Sequence, residues 1–421
     1  MQLRAHDRAD FSERWPQILA RIAEAADGGA ELIVVPEGTV PGYVLGTEPV
    51  DSRQIESAAH DVIAIAVRSG ATIVYGSGRY NGDRFMNAAY VITPSGIAGT
   101  SDKCFLWHAD RRWFTAGTTL APIDTPAGRL GVFVCADGRI PTIASTLVDR
   151  GAEILIVPTA WVTSGRDASS LENLQADVMI NIRARENGVP LIAANKIGVE
   201  RRSTAYCGKS AIVAADGSFV ARAAQDADEI LRGSVAIGSR LVTRDATIPP
   251  VARGVERTPL DGSLRIAIAS KSDTSLHELA ATTDAQLVID PATRARSHEM
   301  ALVDDEAMLD PRALVGPRLA GVRLFIWHAS IGAAWVKPYA RTRAAELRAY
   351  VVVLDTLDRH AFAVDPDGTI VCGTYDGYEL AAFTFERART EAWLVAPYTN
   401  VRATLEAVAE IASATAASTS S

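Results

Sequence analysis

Short apolar runs alternate with longer amphipathic stretches along most of this chain, a pattern that predicts an α/β protein. Strands are expected where apolar residues cluster between turn residues, namely at residues 32–35, 72–77, 88–92, 131–135, 154–158, 190–195 and 210–214. Two helices are predicted, because two amphipathic stretches each end at a glycine that suits a helix C-cap. These helices span residues 12–28 and 171–188.

The chain has 421 residues, a length that favours two or more domains. Prolines, a glycine and several charged residues interrupt any periodicity in residues 243–263. We therefore predict a linker at 246–263 between a domain at 1–245 and a second at 264–407. The last residues, 408–421, are small and polar, and we expect a disordered tail there.

Four segments of the first part return in the same order in the second part, which indicates an internal repeat. The space between the first two matched segments of the second part is too short for strands like those around Lys103 and Cys135. The second part is thus expected to be a truncated copy, with a chance similarity between unrelated α/β domains as the alternative. The matched pairs are 29–38 with 284–293, 151–160 with 321–330, 183–195 with 343–355, and 210–223 with 361–374.

Composition and charge exclude several classes of protein. The net charge of −8 argues against a nucleic-acid binder with a basic face. No run of 18 apolar residues and no apolar segment near the N-terminus is present, so we expect no membrane partner and a cytoplasmic location. The four cysteines lie far apart and form no CxxC pair, which is typical of reduced thiols. The seven histidines are scattered, so no metal site is expected.

Three polar residues stand at the ends of predicted strands and together suit nucleophilic catalysis. Cys135 ends an apolar strand before a predicted helix, whose N-terminus would favour the thiolate. A nucleophilic cysteine needs a base, and Glu37 is a better candidate than any histidine, with a pKa that partial burial would raise. Lys103 and the backbone N–H of Ala136 are predicted to stabilise the oxyanion.

Four motifs taken together, VPEGTVPGY, SDKCFLW, CADGRIP and RARENGVPLIAAN, resemble the nitrilase (carbon–nitrogen hydrolase) superfamily over roughly residues 15–240. The resemblance implies a four-layer αββα sandwich, followed here by the truncated, degenerate copy of the same fold. It also implies a catalytic triad of Glu37, Lys103 and Cys135, a thioester intermediate, and no cofactor.

The resemblance also implies a second carboxylate, usually a glutamate, that helps to position the substrate. The matching residue here is Asp110, which is shorter by one methylene. His108 and Trp161 each follow a motif and are predicted to line the substrate pocket, with packing in the core or at the rim as the alternative.

The residue two positions after the cysteine, Asp137, resembles the amidase and carbamoyl-amidase branches, whereas nitrilases tend to have Cys-Trp-Glu. We therefore expect hydrolysis of a small-molecule amide or N-carbamoyl substrate with release of ammonia. Nitrile hydrolysis, a catalytically weak pseudoenzyme or binding module, and a transferase or ammonia-donating subunit remain alternatives.

The second half is expected to be inactive, because Ala292 stands where the first half has Glu37. Members of the superfamily usually pair through a contact that extends their sheets. The resemblance therefore implies either a homo-oligomer or a pseudo-dimer formed within one chain.

Overall fold

The structure is a computed structural model that describes residues 1–163, 172–245 and 247–418. The described residues divide into two compact units, one of residues 1–243 with those from Glu406 onward, and one of residues 244–405. Three predicted features lie partly outside the described residues: the start of the second helix at 171, position 246 of the linker, and 419–421 of the tail.

The described residues of the first unit contain thirteen strands, four helices and the part of a C-terminal helix from Glu406 onward. Its strands are β1 Leu3–Arg4, β2 Leu32–Val34, β3 Thr72–Asn81, β4 Arg84–Thr93, β5 Gly96–Asp102, β6 Ile123–Thr125, β7 Gly128–Val132, β8 Ile154–Pro158, β9 Leu191–Ala194, β10 Lys196–Glu200, β11 Thr204–Cys207, β12 Ala211–Val213 and β13 Phe219–Arg222. Its helices are α1 Phe11–Asp27, α2 Ser52–Ser69, α3 Pro141–Asp149 and α4 Ile180–Asn187.

These elements form four layers. Helices α1 and α2 contact a sheet of order β2-β3-β4-β5, and α3 and α4 contact a sheet of order β13-β12-β9-β8-β7-β6. The two sheets face each other where β2 and β3 contact β8. Strand β8 and the first half of β3 are buried on both faces, which accounts for their continuous apolar runs. The first unit is thus the αββα arrangement that the resemblance implies.

The catalytic candidates lie beyond strand ends that meet at one edge of this unit. Strands β7, β8 and β9 are parallel, so their carboxyl ends point the same way. The chain after β2 reaches the same edge, because the backbone N–H of Glu37 donates to the carbonyl of Thr159, 3.3 Å away, just beyond β8. Carboxyl ends of strands in α/β proteins are the common place for reactive groups.

The second predicted helix begins later than expected. A π-helical turn at Gln175–Met179 precedes α4, and α4 then ends at Gly188, whose φ is +63°. π-Helical turns inside helices often occur at functional sites. Here the turn carries Gln175, whose side chain contacts the backbone of Cys135.

The second unit has a six-stranded sheet of order β14-β17-β18-β19-β20-β21 and a three-stranded sheet of order β16-β15-β22. Its strands are β14 Ala252–Arg253, β15 Ser263–Ala269, β16 Leu287–Ile289, β17 Met300–Val303, β18 Leu324–Ala329, β19 Tyr350–Asp355, β20 His360–Val364, β21 Ile370–Gly373, β22 Leu380–Glu386, β23 Leu394–Ala396 and β24 Thr399–Asn400. The remaining helices are α5 Thr274–Ala281, α6 Asp305–Leu309, α7 Val315–Leu319, α8 Ala333–Leu347, α9 Arg387–Glu391 and α10 Val401–Ser418.

The larger sheet of each unit follows the same path. In the first unit β7, β8 and β9 are parallel and β12 and β13 follow as antiparallel strands. In the second unit β17, β18 and β19 are parallel, and β20 and β21 follow as antiparallel strands. The registers also correspond, since Leu130 pairs with Ile154 as Met300 pairs with Leu324.

One expectation about the second half is wrong. The sequence predicted no room for a counterpart of the strand that precedes Cys135, yet β17 occupies that position in the sheet. The apolar signal of this strand is weak because acidic residues follow it directly, in LVDDE, where the first unit has the apolar VFVCA.

The predicted linker and tail are more ordered than expected. The linker contributes β14, which pairs antiparallel with β17 at the edge of the second unit's larger sheet. The tail continues helix α10 as far as Ser418, because alanine is abundant in this stretch and has the highest helix propensity. Among the described residues, no helix is both long and apolar enough to span a membrane.

Candidate active site

Glu37 lies in the interior of the first unit, three residues past the end of β2. The chain passes so close to β3 that a Cβ on Gly76 would lie 2.4 Å from the Cα of Glu37, so only glycine fits there. One carboxylate oxygen, Oε1, accepts from Lys103 Nζ and from Asn87 Nδ2, each at 2.7 Å. The other oxygen, Oε2, is buried and has no hydrogen-bond partner. This free oxygen is the one available for proton transfer.

Lys103 directly follows β5 and is also completely buried. Its ammonium group lies 2.7 Å from both Glu37 Oε1 and Asp110 Oδ2. Burial alone would lower the pKa of Lys103, but these two carboxylates outweigh it and hold the pKa well above its ordinary value. Lys103 is therefore a fixed positive charge, suited to stabilising an oxyanion.

Cys135 begins a 3-10 turn between β7 and α3, and its backbone is strained. Its φ of +51° lies in the left-handed region that residues with side chains seldom adopt. Gln175 Nε2 stabilises this turn by donating to the carbonyl of Cys135 at 2.9 Å. The strained turn puts the sulfur beyond the strand end, as in other nucleophile elbows.

The expectation of a favoured thiolate is wrong. Burial is the largest effect on Cys135 and raises its pKa, and the charge of Glu37 raises it further. Lys103 and the backbone N–H of Ala160 lower the pKa, but by less. The resting nucleophile is therefore a thiol, and a base must remove its proton as it attacks.

Asp137 joins the segment that carries Lys103 to the one that carries Cys135. One oxygen, Oδ1, accepts from the backbone N–H of Cys104 at 3.0 Å and of Phe105 at 2.6 Å. The other, Oδ2, accepts from the backbone N–H of Val134 at 3.0 Å. Burial raises the pKa of Asp137 to about 7 against the opposing effect of these donors. The carboxyl group thereby fixes the distance between the lysine and the cysteine.

Replacement of Asp137 by alanine is expected to lower the free energy of unfolding by about 3 to 5 kcal/mol, because three buried N–H groups lose their acceptor. Urea denaturation followed by circular dichroism measures this change. Asp216→Ala is the control, since Asp216 accepts from the N–H and hydroxyl of Ser218 at the surface. Equal losses in the two variants would contradict a bracing role for Asp137.

Of the other four predicted site residues, three are buried and one is exposed. Asp110 is buried and contacts Lys103. Ala136 is buried directly after the nucleophile. Trp161 is buried beyond β8. Its backbone N–H donates to Asn195 Oδ1, and its indole N–H has no hydrogen-bond partner. His108 is exposed on a 3-10 turn.

Sequence reasoning missed three residues of this site. Asn87 contacts Glu37, Gln175 contacts the backbone of Cys135, and Tyr43 donates to Asp110. Asn87 is a polar residue inside an otherwise apolar strand, and Tyr43 lies within the first motif, so both carried a signal. Nothing in the local sequence distinguishes Gln175.

The described residues contain no group of three or more histidine, cysteine, aspartate or glutamate side chains arranged to hold a metal ion.

Comparison with known proteins gives matches over the first unit. The sequence profile of the carbon–nitrogen hydrolase family matches residues 1–241. A hydrolase encoded in the pqqF 5′ region of Pseudomonas protegens is 33% identical over 210 residues, which cover 48% of this chain and 70% of that protein. An (R)-stereoselective amidase from Pseudomonas sp. is 28% identical over 229 residues, covering 54% of this chain and 80% of that one.

Solved structures match over the same part of the chain. A crystal structure of a carbon–nitrogen hydrolase from Helicobacter pylori aligns with a TM-score of 0.49 at 24% identity. The alignment covers 56% of this chain and 86% of that one.

Proposed function

Because the chain belongs to the carbon–nitrogen hydrolase family, we propose that it hydrolyses the C–N bond of an amide or N-carbamoyl compound and releases ammonia. Glu37, Lys103 and Cys135 are the catalytic residues in this proposal. The observation that carries it is the buried ion pair of Glu37 and Lys103. One carboxylate oxygen of Glu37 has no hydrogen-bond partner, and the charges of both residues act on the thiol of Cys135.

In the first half-reaction, Glu37 Oε2 takes the proton from the thiol of Cys135 as the sulfur attacks the carbonyl carbon. The carbonyl oxygen becomes an oxyanion, which Lys103 Nζ and the N–H of Ala136 stabilise. Glu37 then gives its proton to the departing nitrogen. The C–N bond breaks, ammonia leaves, and a thioester remains on Cys135.

In the second half-reaction, water attacks the thioester carbon while Glu37 takes a proton from that water. The same oxyanion contacts form again. When the C–S bond breaks, the proton returns to the sulfur, the carboxylic or carbamic acid leaves, and the resting thiol is restored. Glu37 thus acts twice in each cycle, which is consistent with its free oxygen and with the raised pKa of Cys135.

One feature favours amide-type over nitrile substrates: Asp137 stands two residues after the nucleophile, as in the amidase branches that the sequence resembles. The similar proteins do not separate the two classes, since a nitrilase from Pyrococcus abyssi and the (R)-stereoselective amidase are both 28% identical to this chain.

A screen for ammonia release over primary amides, N-carbamoyl compounds and nitriles tests the proposal. Turnover is expected on members of the first two groups. Turnover of nitriles alone would replace the proposal by nitrile hydrolysis. No turnover on any group, with no acyl adduct on Cys135 by intact mass spectrometry, would favour a binding protein instead.

We also propose that residues 264–407 form a degenerate copy of the first unit's fold. The shared strand order and register of the two larger sheets support this. A buried ion pair supports it as well, because the pair occurs both in α4, the helix before β9, and in α8, the helix before β19. Arg183 lies 2.6 Å from Glu186 and donates to the carbonyl of Gly138, whereas Arg343 lies 2.7 Å from Glu346 and donates to the carbonyl of Met308.

In this register Met300 corresponds to Leu130. Asp305 lies five residues after Met300, and Cys135 lies five residues after Leu130, so Asp305 corresponds to Cys135. The Asp305 carboxylate is already used, because Trp327 Nε1 donates to it at 2.9 Å and the backbone N–H of Ser330 at 3.1 Å. An aspartate held in this way has no role as a nucleophile toward amides, so the second copy is inactive in this proposal.

Asp305→Asn is therefore expected to leave the rate of ammonia release within about twofold of the wild type, since the substitution changes no group of the first unit's site. The measurement is kcat in the same ammonia assay, with unfolding of the variant followed in parallel. A loss of activity in a variant that remains folded would mean that the second unit takes part in catalysis. An experimental structure in which 264–407 did not superpose on 15–240 would remove the repeat itself.

A further inference from the structure

Three donors of the protein hold the carboxylate of Asp110. Oδ2 accepts from Lys103 Nζ at 2.7 Å and from the backbone N–H of Trp107 at 2.9 Å. Oδ1 accepts from the hydroxyl of Tyr43 at 2.7 Å. Asp110 has no exposed surface. These three donors engage both oxygens of the short, buried side chain, so the protein fixes the carboxylate of Asp110 beside Lys103.

Besides its hydrogen bond to Asp110, Tyr43 lies near the ammonium groups of two buried lysines. Its ring centre lies 5.9 Å from Lys103 Nζ and equally 5.9 Å from Lys196 Nζ. Both distances fall within the range of cation–π attraction. Burial, followed by the charge of Asp110, raises the pKa of Tyr43 well above its ordinary value, so the hydroxyl keeps its proton and acts as a donor.

The backbone of Tyr43 is fixed independently of the catalytic residues. Glu200 Oε1 accepts from the backbone N–H of Tyr43 at 2.8 Å and of Val44 at 2.6 Å. Glu200 is itself buried and accepts from the hydroxyl of Tyr206 at 2.7 Å. The donor to Asp110 therefore comes from a rigid segment, as positioning of a catalytic group requires.

We propose that Tyr43 is a positioning residue that holds Asp110, so that Asp110 in turn holds Lys103 at the oxyanion. This inference rests on the proposed function in assigning Lys103 to the oxyanion. It gives Asp110 support of the lysine as a role beside the substrate binding that the resemblance implies.

The test is Tyr43→Phe, which removes one hydroxyl and keeps the ring. Oδ1 of Asp110 then lacks its donor in a buried environment, so the carboxylate is held less firmly and in turn holds Lys103 less firmly. We expect kcat to fall about 10- to 100-fold while KM stays within about twofold, because Lys103 acts on the oxyanion, which forms during the reaction and is absent from the bound substrate. A rise in KM at unchanged kcat would overturn the proposal.

A second measurement does not depend on turnover. Four ionisable groups act on Lys103, namely Glu37, Asp110, Cys135 and Asp137. If Tyr43→Phe loosens the contact between Asp110 and Lys103, the pKa of Lys103 falls toward its ordinary value, which NMR of ¹⁵N-lysine-labelled protein detects at Nζ. The assignment comes from Lys103→Met. An unchanged Lys103 pKa in Tyr43→Phe overturns the inference even if no substrate is known, whereas failure of the ammonia screen affects only the proposed function.

Two further variants separate this role from general packing. Tyr75→Phe removes the hydroxyl of another buried tyrosine, one that has no hydrogen-bond partner, and is expected to leave kcat within about twofold. In a double-mutant cycle, Tyr43→Phe is expected to cost little more once Asp110→Asn is present. Full additivity of the two losses would show that Tyr43 does not act through Asp110.

Discussion

Cys135→Ala is expected to reduce ammonia release by about 10⁴-fold or more, because no thioester can form without the sulfur. The buried site should tolerate the smaller side chain, so the fold and the binding of substrate should persist. Steady-state ammonia assays measure the loss, and intact mass spectrometry of the wild type with a slowly hydrolysed substrate should show an acyl adduct on a peptide that contains Cys135.

Cys207→Ala is the matched control for this variant. Cys207 is buried like Cys135, at 1% against 6% exposed, but lies in β11. Its removal should cost some stability and leave kcat within about twofold. Turnover that survives in Cys135→Ala, or an adduct that forms on Cys207, would contradict the proposed mechanism.

Much of the first unit follows from the sequence because its strands are buried on both faces. Such strands appear as continuous apolar runs, and β8 has the bounds predicted for it, residues 154–158. Two of the three catalytic candidates, Glu37 and Cys135, could also be identified because each lies at the end of such a run, whereas Lys103 follows β5, which is polar and partly exposed. Periodicity indicates where a strand ends, and in α/β folds reactive groups lie at those ends.

The contacts among the site residues could not be predicted from the sequence. Tyr43 and Asp110 are separated by 67 residues and Asn87 and Glu37 by 50, and no local pattern links residues so far apart. The raised pKa of Cys135 was missed for a related reason. Proximity to a helix start is visible in the sequence, whereas complete burial beside Glu37 depends on the packing of two sheets.

In the second unit the sequence signal is weaker for a physical reason. In the proposed degenerate copy, loss of the nucleophile changes the selection on the residues around it, and charged groups can replace apolar ones where new partners are available. Asp305 fits this proposal, because Trp327 and Ser330 satisfy its carboxylate. Strand order in the sheet is set by packing, so it can persist after the motif residues have changed.

Glu37→Gln is expected to lower kcat by about 10⁴-fold, the upper end of the range for general acid–base catalysis, because one carboxylate serves both half-reactions. Glutamine has nearly the same shape, and its carbonyl oxygen can still accept from Lys103 and Asn87, which both contact a single oxygen of Glu37. The substitution therefore removes proton transfer with little change in packing. Ammonia assays under saturating substrate measure the effect.

The control is Glu31→Gln, which removes an exposed carboxylate just before the same strand, β2, and should leave kcat unchanged within about twofold. Single-turnover measurements distinguish a base from a merely structural residue. If Glu37 is the base for attack by a protonated thiol, Glu37→Gln should slow acylation of Cys135 as well as hydrolysis of the thioester. Rapid acylation with slow hydrolysis would instead mean that the thiol ionises without Glu37, contrary to the raised pKa that burial gives Cys135.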